Sequence, residues 1–410
     1  MKGFTTRAVH GKSSTAAEHG ALRPPLYEAA AFEFESSADL ELAFRGNKPL
    51  HVYSRITNPT VAELEQRVGT LTRALGVVAV SSGMSAIALT LMSMLRSQMN
   101  IVTSRNLFGN TYSLFDKTLR NWGIDVCFVD MADRQSLTEN ISDKTGLVFL
   151  ESITNPGLEV ADIAMVCDVA AGKNVPVVLD NTVTTPYIFD SKSVGVAVEV
   201  LSSTKYISGG ATCIGGLIID NGAYDWSKSS VLSDEARRFG PGAFLRKLRG
   251  EVYRNVGACL SPHNAWLQIL GLETLSLRIG RSCENALRVA RALVEKETLR
   301  NVNYPGLTGS PFHSIAKKQF GTMFGSVLTF ELDSKQSCFS FMDKLKIIRR
   351  ATNLNDNKSL IIHPASTIYS EYTEEQKRSM GVFDTMVRLS VGIEDFEDII
   401  NDIDMALREV

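Results

Sequence analysis

The chain has little of anything that would mark a specialised protein. Across 410 residues the formal net charge is only −2, and no basic run of useful length occurs. That leaves no electrostatic case for nucleic acid or an anionic membrane surface. Cysteine is sparse: the six residues at 127, 167, 213, 259, 283 and 338 form no Cys-x-x-Cys pair and no cysteine–histidine ligand spacing. This excludes a disulfide framework and a zinc-type centre, and predicts reduced thiols in a cytoplasmic protein with no metal. Long apolar runs are missing too. The longest, Ala86 to Leu95, contains Thr90 and Ser93 and is followed by Arg96, whereas a bilayer span takes about 20 apolar residues. The opening Met1 to Arg7 lacks the apolar core of a signal peptide. Internal repeats and low-complexity segments are absent.

What remains is an ordinary globular composition, 44% hydrophobic and 21% charged, with enough apolar material for two domains. Residues 1–60 are rich in Pro, Gly and charge and read as an extended arm with little core of its own. From Val61 the pattern alternates. Val61 to Leu75, Met84 to Leu95 and Tyr112 to Trp122 have helical spacing. Seven short apolar runs lie among and beyond them, at 77–80, 100–103, 125–129, 147–151, 177–179, 198–201 and 216–219. Short apolar runs interleaved with helices predict an α/β domain over 61–258, built on a mostly parallel seven-stranded sheet covered on both faces. After Ser261-Pro262 the texture changes. A long, interrupted helical stretch over 266–294, a strand at 326–330, a helix near 338–349 and a last helix over 394–409 predict a C-terminal α+β domain over 259–410.

The chemistry concentrates around Lys205, in Leu201-Ser202-Ser203-Thr204-Lys205-Tyr206, twenty-five residues after Asp180 closes the run Val177-Val178-Leu179. A lysine among small hydroxyl residues, with an aspartate ending an upstream strand, suits pyridoxal phosphate. The lysine attaches covalently, the hydroxyls hold phosphate, and the carboxylate keeps a pyridine nitrogen protonated. A solvated loop lysine and a strand-ending turn aspartate fit the same residues. Ser81-Ser82-Gly83-Met84-Ser85 follows a strand and opens a helix, which is either an anion cradle or a serine-capped turn. Tyr53-Ser54-Arg55 closes the arm, and its arginine is either a phosphate partner reaching a neighbouring subunit or a surface residue. Glu151-Ser152-Ile153-Thr154-Asn155-Pro156 and Asp180-Asn181-Thr182 are polar strand ends in series, where doubly wound sheets place ligands. Arg388 enters the apolar segment Leu389-Ser390-Val391 and is either a clamp for a carboxylate or a strand's solvated edge. Ser359 and His363 are candidates for the same wall.

Together these motifs resemble the Cys/Met-metabolism family of pyridoxal phosphate enzymes, of aminotransferase-like (fold type I) architecture. The similarity runs from Thr6-Arg7-Ala8-Val9-His10-Gly11 to the Arg388 segment. It implies Lys205 as the Schiff-base lysine and proton carrier, and Asp180 as the partner of the pyridine nitrogen. Gly83, Met84, Ser202 and Thr204 would bind phosphate, with Tyr53 and Arg55 arriving from an adjacent subunit of a homotetramer. Asn155, Arg388 and Ser359 would hold the substrate carboxylate. Within the family, Leu260 to Trp266, Gly271 to Arg278 and Cys283 to Leu287 are most similar to the O-acetylhomoserine sulfhydrylase branch. Asn110 stands where methionine γ-lyases usually carry cysteine. The implied reaction is γ-replacement on O-acetyl-L-homoserine, giving homocysteine and acetate, with sulfide or a small thiocarboxylated carrier as sulfur donor. Methionine γ-lyase, cystathionine γ-synthase and a catalytically silent scaffold are the rival expectations. Three positions depart from the family pattern. Phe108 replaces a tyrosine that stacks on the cofactor, which turns attention to Tyr112 or Lys205 for acid–base work. Gly210 and Tyr369 each replace a histidine.

Overall fold

The computed structural model describes residues 3–11 and 20–409. Its larger sheet contains β1 (Gly76–Val80), β2 (Asn100–Ser104), β3 (Asp125–Val129), β4 (Thr145–Glu151), β5 (Val177–Asp180), β6 (Val198–Leu201) and β7 (Gly216–Asp220). They lie in the order β1-β7-β6-β5-β4-β2-β3, and β7 alone runs against its neighbours. These strands are nearly continuous Val, Ile and Leu because helices cover both faces, as a parallel sheet requires. The crossovers are short helices with deliberate starts. Ser82 caps Gly83–Met94 by accepting from the Ser85 N–H, and Asp162 caps Ile163–Gly172 by accepting from the Met165 N–H. The helix expected over 112–122 begins earlier, at Gly109, and widens into a π-helical turn over Leu114–Leu119.

The smaller sheet takes β8 (Arg300–Asn303), β9 (Val327–Glu331), β10 (Arg349–Arg350), β11 (Leu360–Ile362) and β12 (Met386–Ser390) in the order β10-β11-β12-β9-β8. One hydrophobic core joins the sheets. It packs Val148, Leu150, Val177 and Leu179 of the larger sheet with Ala286, Val289 and Leu293 of helix Leu275–Val294, and with Phe330, Val387 and Leu389 of the smaller sheet. That helix is separated from Pro262–Glu273 by Thr274 alone. At the break, the buried Arg278 donates from Nη1 to the Tyr206 carbonyl and from Nη2 to the Gly271 carbonyl, both at 2.7 Å. The residue following Lys205 is thereby pinned to the helical junction.

Two expectations need correction. The helix expected near 338–349 runs over Lys335–Lys344 and stops there. Asp402 accepts the N–H groups of Lys346, Ile347 and Ile348, which draws the chain out of helical pairing and into β10. The arm is also less extended than its composition implies. It carries helices Phe4–His10 and Ser37–Phe44, and Arg7 ties the first of these to the Thr70 and Leu71 carbonyls. Residues 12–19 of the arm lie outside the described residues. Among the described residues no helix is long and apolar enough to cross a membrane.

Candidate active site

Three parallel strands end at one place. β4 delivers Glu151, β5 delivers Asp180, and β6 leads into Ser202-Ser203-Thr204-Lys205; Glu151 and Asp180 sit opposite each other in register. Carboxyl ends of parallel strands are where such sheets leave room for ligands. Here they open onto a cavity of about 460 Å³.

Lys205 reaches into this cavity and donates from Nζ to the Asn353 Oδ1 at 2.5 Å. Burial pushes its amine down to about 8, helped by the Arg388 charge and opposed by Asp356 and Asp180. Asp180 accepts twice on Oδ1, from the Thr182 hydroxyl at 2.6 Å and the Thr182 N–H at 3.0 Å. The Thr182 Oγ1 in turn accepts the Ser202 N–H at 2.8 Å. Burial raises the Asp180 carboxyl, while the Thr182 bonds and the Lys205 charge pull it down. Glu151 is pushed well above the ordinary carboxyl range, first by burial and then by the neighbouring Asp180 charge.

One end of the cavity is built for an anion. The start of helix Gly83–Met94 meets Ser202 so closely that a Cβ on Gly83 would lie 2.7 Å from the Ser202 Cβ and 2.9 Å from its Cα. Only glycine lets helix N-terminal N–H groups and the Ser202 hydroxyl share this corner. Thr204 lines the same cavity, although its Oγ1 already donates to the Gly215 carbonyl and accepts the Gly215 N–H.

The other end holds a buried cation. Arg388 lies in the middle of β12 and is only 3% exposed. Its Nη1 donates to the Asn155 Oδ1 at 2.9 Å and its Nη2 to the Asn353 carbonyl at 2.8 Å, while Nε has no partner among the described residues. Among the described residues no carboxylate pairs with it. A guanidinium left without an anion in the interior is costly, so the geometry favours a carboxylate from a ligand.

The cavity thus gathers Gly83, Met84, Phe108, Asn155, Asp180, Ser202, Thr204, Lys205 and Arg388. Tyr53 and Arg55 do not reach it. Both are exposed; Arg55 stacks over the Tyr53 ring at 5.4 Å and donates to the Arg254 carbonyl at 2.7 Å. Ser359 is placed elsewhere, contrary to the sequence expectation. It precedes β11, where its hydroxyl donates to Glu394 Oε2 at 3.0 Å and accepts the Gly392 N–H at 2.9 Å, so it is spent on holding the smaller sheet. His363 is likewise engaged, with Ser366 and the Asp384 carbonyl. Tyr112 stacks on Phe128 away from the cavity, and burial raises its phenol. Of the two groups considered for acid–base work, only Lys205 lines the cavity.

Sequence reasoning missed Asn353, Thr182 as the aspartate's partner, and the carboxylate role of Glu151. The run Asn353-Leu354-Asn355-Asp356-Asn357 signals a turn but carries no sign of what it faces. The glycine at 210 has a local cause. Its φ is +108° and a Cβ there would lie 2.5 Å from the Asn357 Nδ2, so a histidine would be strained and would have to displace the Asn357 amide.

These residues fit pyridoxal phosphate: a glycine-opened anion corner, an amine near neutrality, a buried carboxylate with a threonine partner, and the Phe108 ring in the wall. The comparisons agree. The O-acetyl-L-homoserine sulfhydrylase of Corynebacterium glutamicum is 37% identical, over 98% of this chain and 96% of that protein. The L-methionine γ-lyase of Pseudomonas putida is 35% identical, over 100% and 98%. A solved O-acetylhomoserine sulfhydrylase from Wolinella succinogenes, described as catalysing sulfur transfer in methionine biosynthesis, is 49% identical. It superposes with a TM-score of 0.78, covering 86% of this chain and 97% of that one. The family model of Cys/Met metabolism PLP-dependent enzymes matches residues 5–408. From strand ends to cavity and across nearly its whole length, the chain belongs to the Cys/Met metabolism PLP-dependent enzyme family, with the fold type I α/β architecture.

Proposed function

We propose that this protein catalyses γ-replacement on O-acetyl-L-homoserine: the Cγ–O bond breaks, a Cγ–S bond forms with sulfide, and homocysteine and acetate leave. The observation that carries the amino-acid part of this reading is Arg388. Its buried guanidinium, with Nε unpartnered, shares one cavity with the Lys205 amine. The homoserine ester and the sulfur chemistry rest on the sulfhydrylases of Corynebacterium and Wolinella.

Bound pyridoxal phosphate supplies a carbonyl for covalent capture of an amine and a ring that absorbs the charge left when a proton is removed. The protein does the rest. Gly83, Ser202 and Thr204 hold the phosphate, Phe108 supports the ring, and Asp180 stabilises positive charge at the ring nitrogen. Arg388 and Asn155 fix the substrate carboxylate, which orients the α-hydrogen toward Lys205. The Lys205 Nζ takes that proton as a neutral base, an assignment its lowered basicity suits. It then carries protons to and from the β-carbon while acetate departs and sulfur arrives.

Tyr53 and Arg55, exposed on the arm in this chain, are assigned to the phosphate corner of a neighbouring subunit within a homotetramer. The arm over 1–60, the cofactor domain over 61–258 and the C-terminal domain over 259–410 would then divide the work.

The test is a substrate panel with the cofactor-loaded protein. O-acetylhomoserine with sulfide should outpace O-succinylhomoserine and methionine at least tenfold, and Lys205→Ala should abolish turnover. Methionine consumed faster than the ester would reject the assignment in favour of γ-lyase activity.

A further inference from the structure

Two buried side chains with no step in the proposed reaction grip the same two pieces of backbone. The carboxylate of Glu151 accepts the Phe108 N–H on Oε1 at 2.6 Å and the Asn155 N–H on Oε2 at 3.2 Å. The hydroxyl of Tyr369 faces the Leu107 carbonyl at 2.7 Å and the Asn155 carbonyl at 3.0 Å. The Leu107 carbonyl and the Phe108 N–H belong to one peptide group, so that peptide is held at both of its polar ends. Asn155 is held in the same way, at its own N–H and carbonyl. Glu151 and Tyr369 are 6% and 1% exposed, so water does not substitute for either.

The gripped pieces have separate duties. Phe108 contributes a ring to the cavity wall, whereas the Asn155 Oδ1 accepts from the Arg388 Nη1 at 2.9 Å. Their spacing therefore sets the distance between the cofactor wall and the carboxylate end. Gly109 permits the arrangement. A Cβ there would come 2.6 Å from the Ile368 carbonyl, so the Phe108 loop packs directly against the chain that presents Tyr369.

We propose that Glu151 and Tyr369 act as a two-sided clamp, positioning Asn155 and Arg388 against the Phe108 wall so that the cavity selects ligands carrying an α-carboxylate. The clamp rests on the amino-acid reading of the cavity given above and not on which γ-substituent is exchanged. Tyr369 supplies the donor half of the clamp and Glu151 the acceptor half. Both are positioning residues, because they act through the Phe108 and Asn155 backbone, although Glu151 also lines the cavity.

The test compares two ligands of the cofactor-loaded protein by calorimetry. L-norleucine is an α-amino acid with no leaving group at its γ-carbon, and pentylamine is the same chain without the carboxylate. Tyr369→Phe keeps the ring and removes the hydroxyl, leaving two buried carbonyls without the single proton they share. It should weaken norleucine about tenfold and leave pentylamine within about twofold, since one buried hydrogen bond is at stake. Tyr369→His, which restores a donor, should recover most of the loss. If Tyr369→Phe does not fold, Glu151→Gln reads the same ratio, because its amide nitrogen cannot accept the second N–H. Equal weakening of both ligands, no weakening of either, or equal binding of both by the wild type would overturn the clamp. Carboxylate selection lost in Tyr369→Phe, with no homocysteine made by the wild type, would instead overturn the assigned reaction and leave the clamp standing.

Discussion

The Lys205 amine offers the sharpest quantitative handle on the site. Its basicity falls from 10.5 to about 8, chiefly through burial and then through the Arg388 charge. At pH 7 an ordinary lysine is neutral in about one molecule in three thousand, and Lys205 in about one in eleven, roughly a three-hundredfold difference. The perturbation is pH itself, applied to cofactor-free protein. Brief acetylation with acetic anhydride, followed by mass spectrometry of the Lys205 peptide, reads the neutral fraction. Labelling should be lost as pH falls through about 8, while surface lysines lose it near 10.5. Arg388→Met removes a positive charge and should move the midpoint up; Asp356→Asn removes a negative one and should move it down. Stability carries the same sign. Between about 8 and 10.5 the unfolded chain binds the proton and the folded one does not, so stability of the cofactor-free protein rises with pH there, by at most about 3 kcal/mol. A Lys205 midpoint above 10, or one indifferent to Arg388→Met, would refute the electrostatic reasoning.

Three further substitutions probe separate parts of the account. Gly83→Ala places a methyl against Ser202 backbone and should weaken pyridoxal phosphate at least tenfold, read by equilibrium dialysis, with the far-ultraviolet spectrum unchanged. Gly210→His forces a residue with a Cβ to φ +108° against Asn357, and should destabilise the fold by about 1–3 kcal/mol in urea melts. Arg278→Met strips the Tyr206 and Gly271 carbonyls of their donor and should cost about 2–4 kcal/mol. It should also loosen the Lys205 segment, seen as faster hydrogen exchange there.

Much of the site was legible because its residues follow strand ends. A buried apolar run must stop where polar residues begin, so Glu151, Asp180 and Ser202 announced the carboxyl edge of a parallel sheet. Gly83 was legible for a similar reason, as a small residue between a strand and a helix. What escaped are contacts between distant parts of the chain, most of them in the irregular stretch after residue 350. Asn353 sits in a turn-forming run without periodicity, and only the folded chain shows its carbonyl against Arg388 and its side chain against Lys205. Ser359 was misplaced because family pattern and chain order put it near Arg388, whereas its bonds to Glu394 and Gly392 turn it into the sheet. The early end of helix Lys335–Lys344 depends on Asp402, a residue nearly sixty positions later. Such a contact has no local signature.

The central claim is the fate of the four-carbon skeleton, and one product analysis decides it. Cofactor-loaded protein is given O-acetyl-L-homoserine with and without sulfide, and homocysteine, acetate, 2-oxobutanoate and ammonia are quantified. Homocysteine and acetate should appear in equal amounts, and only with sulfide. Oxobutanoate and ammonia as the main products, formed equally well without sulfide, would contradict it.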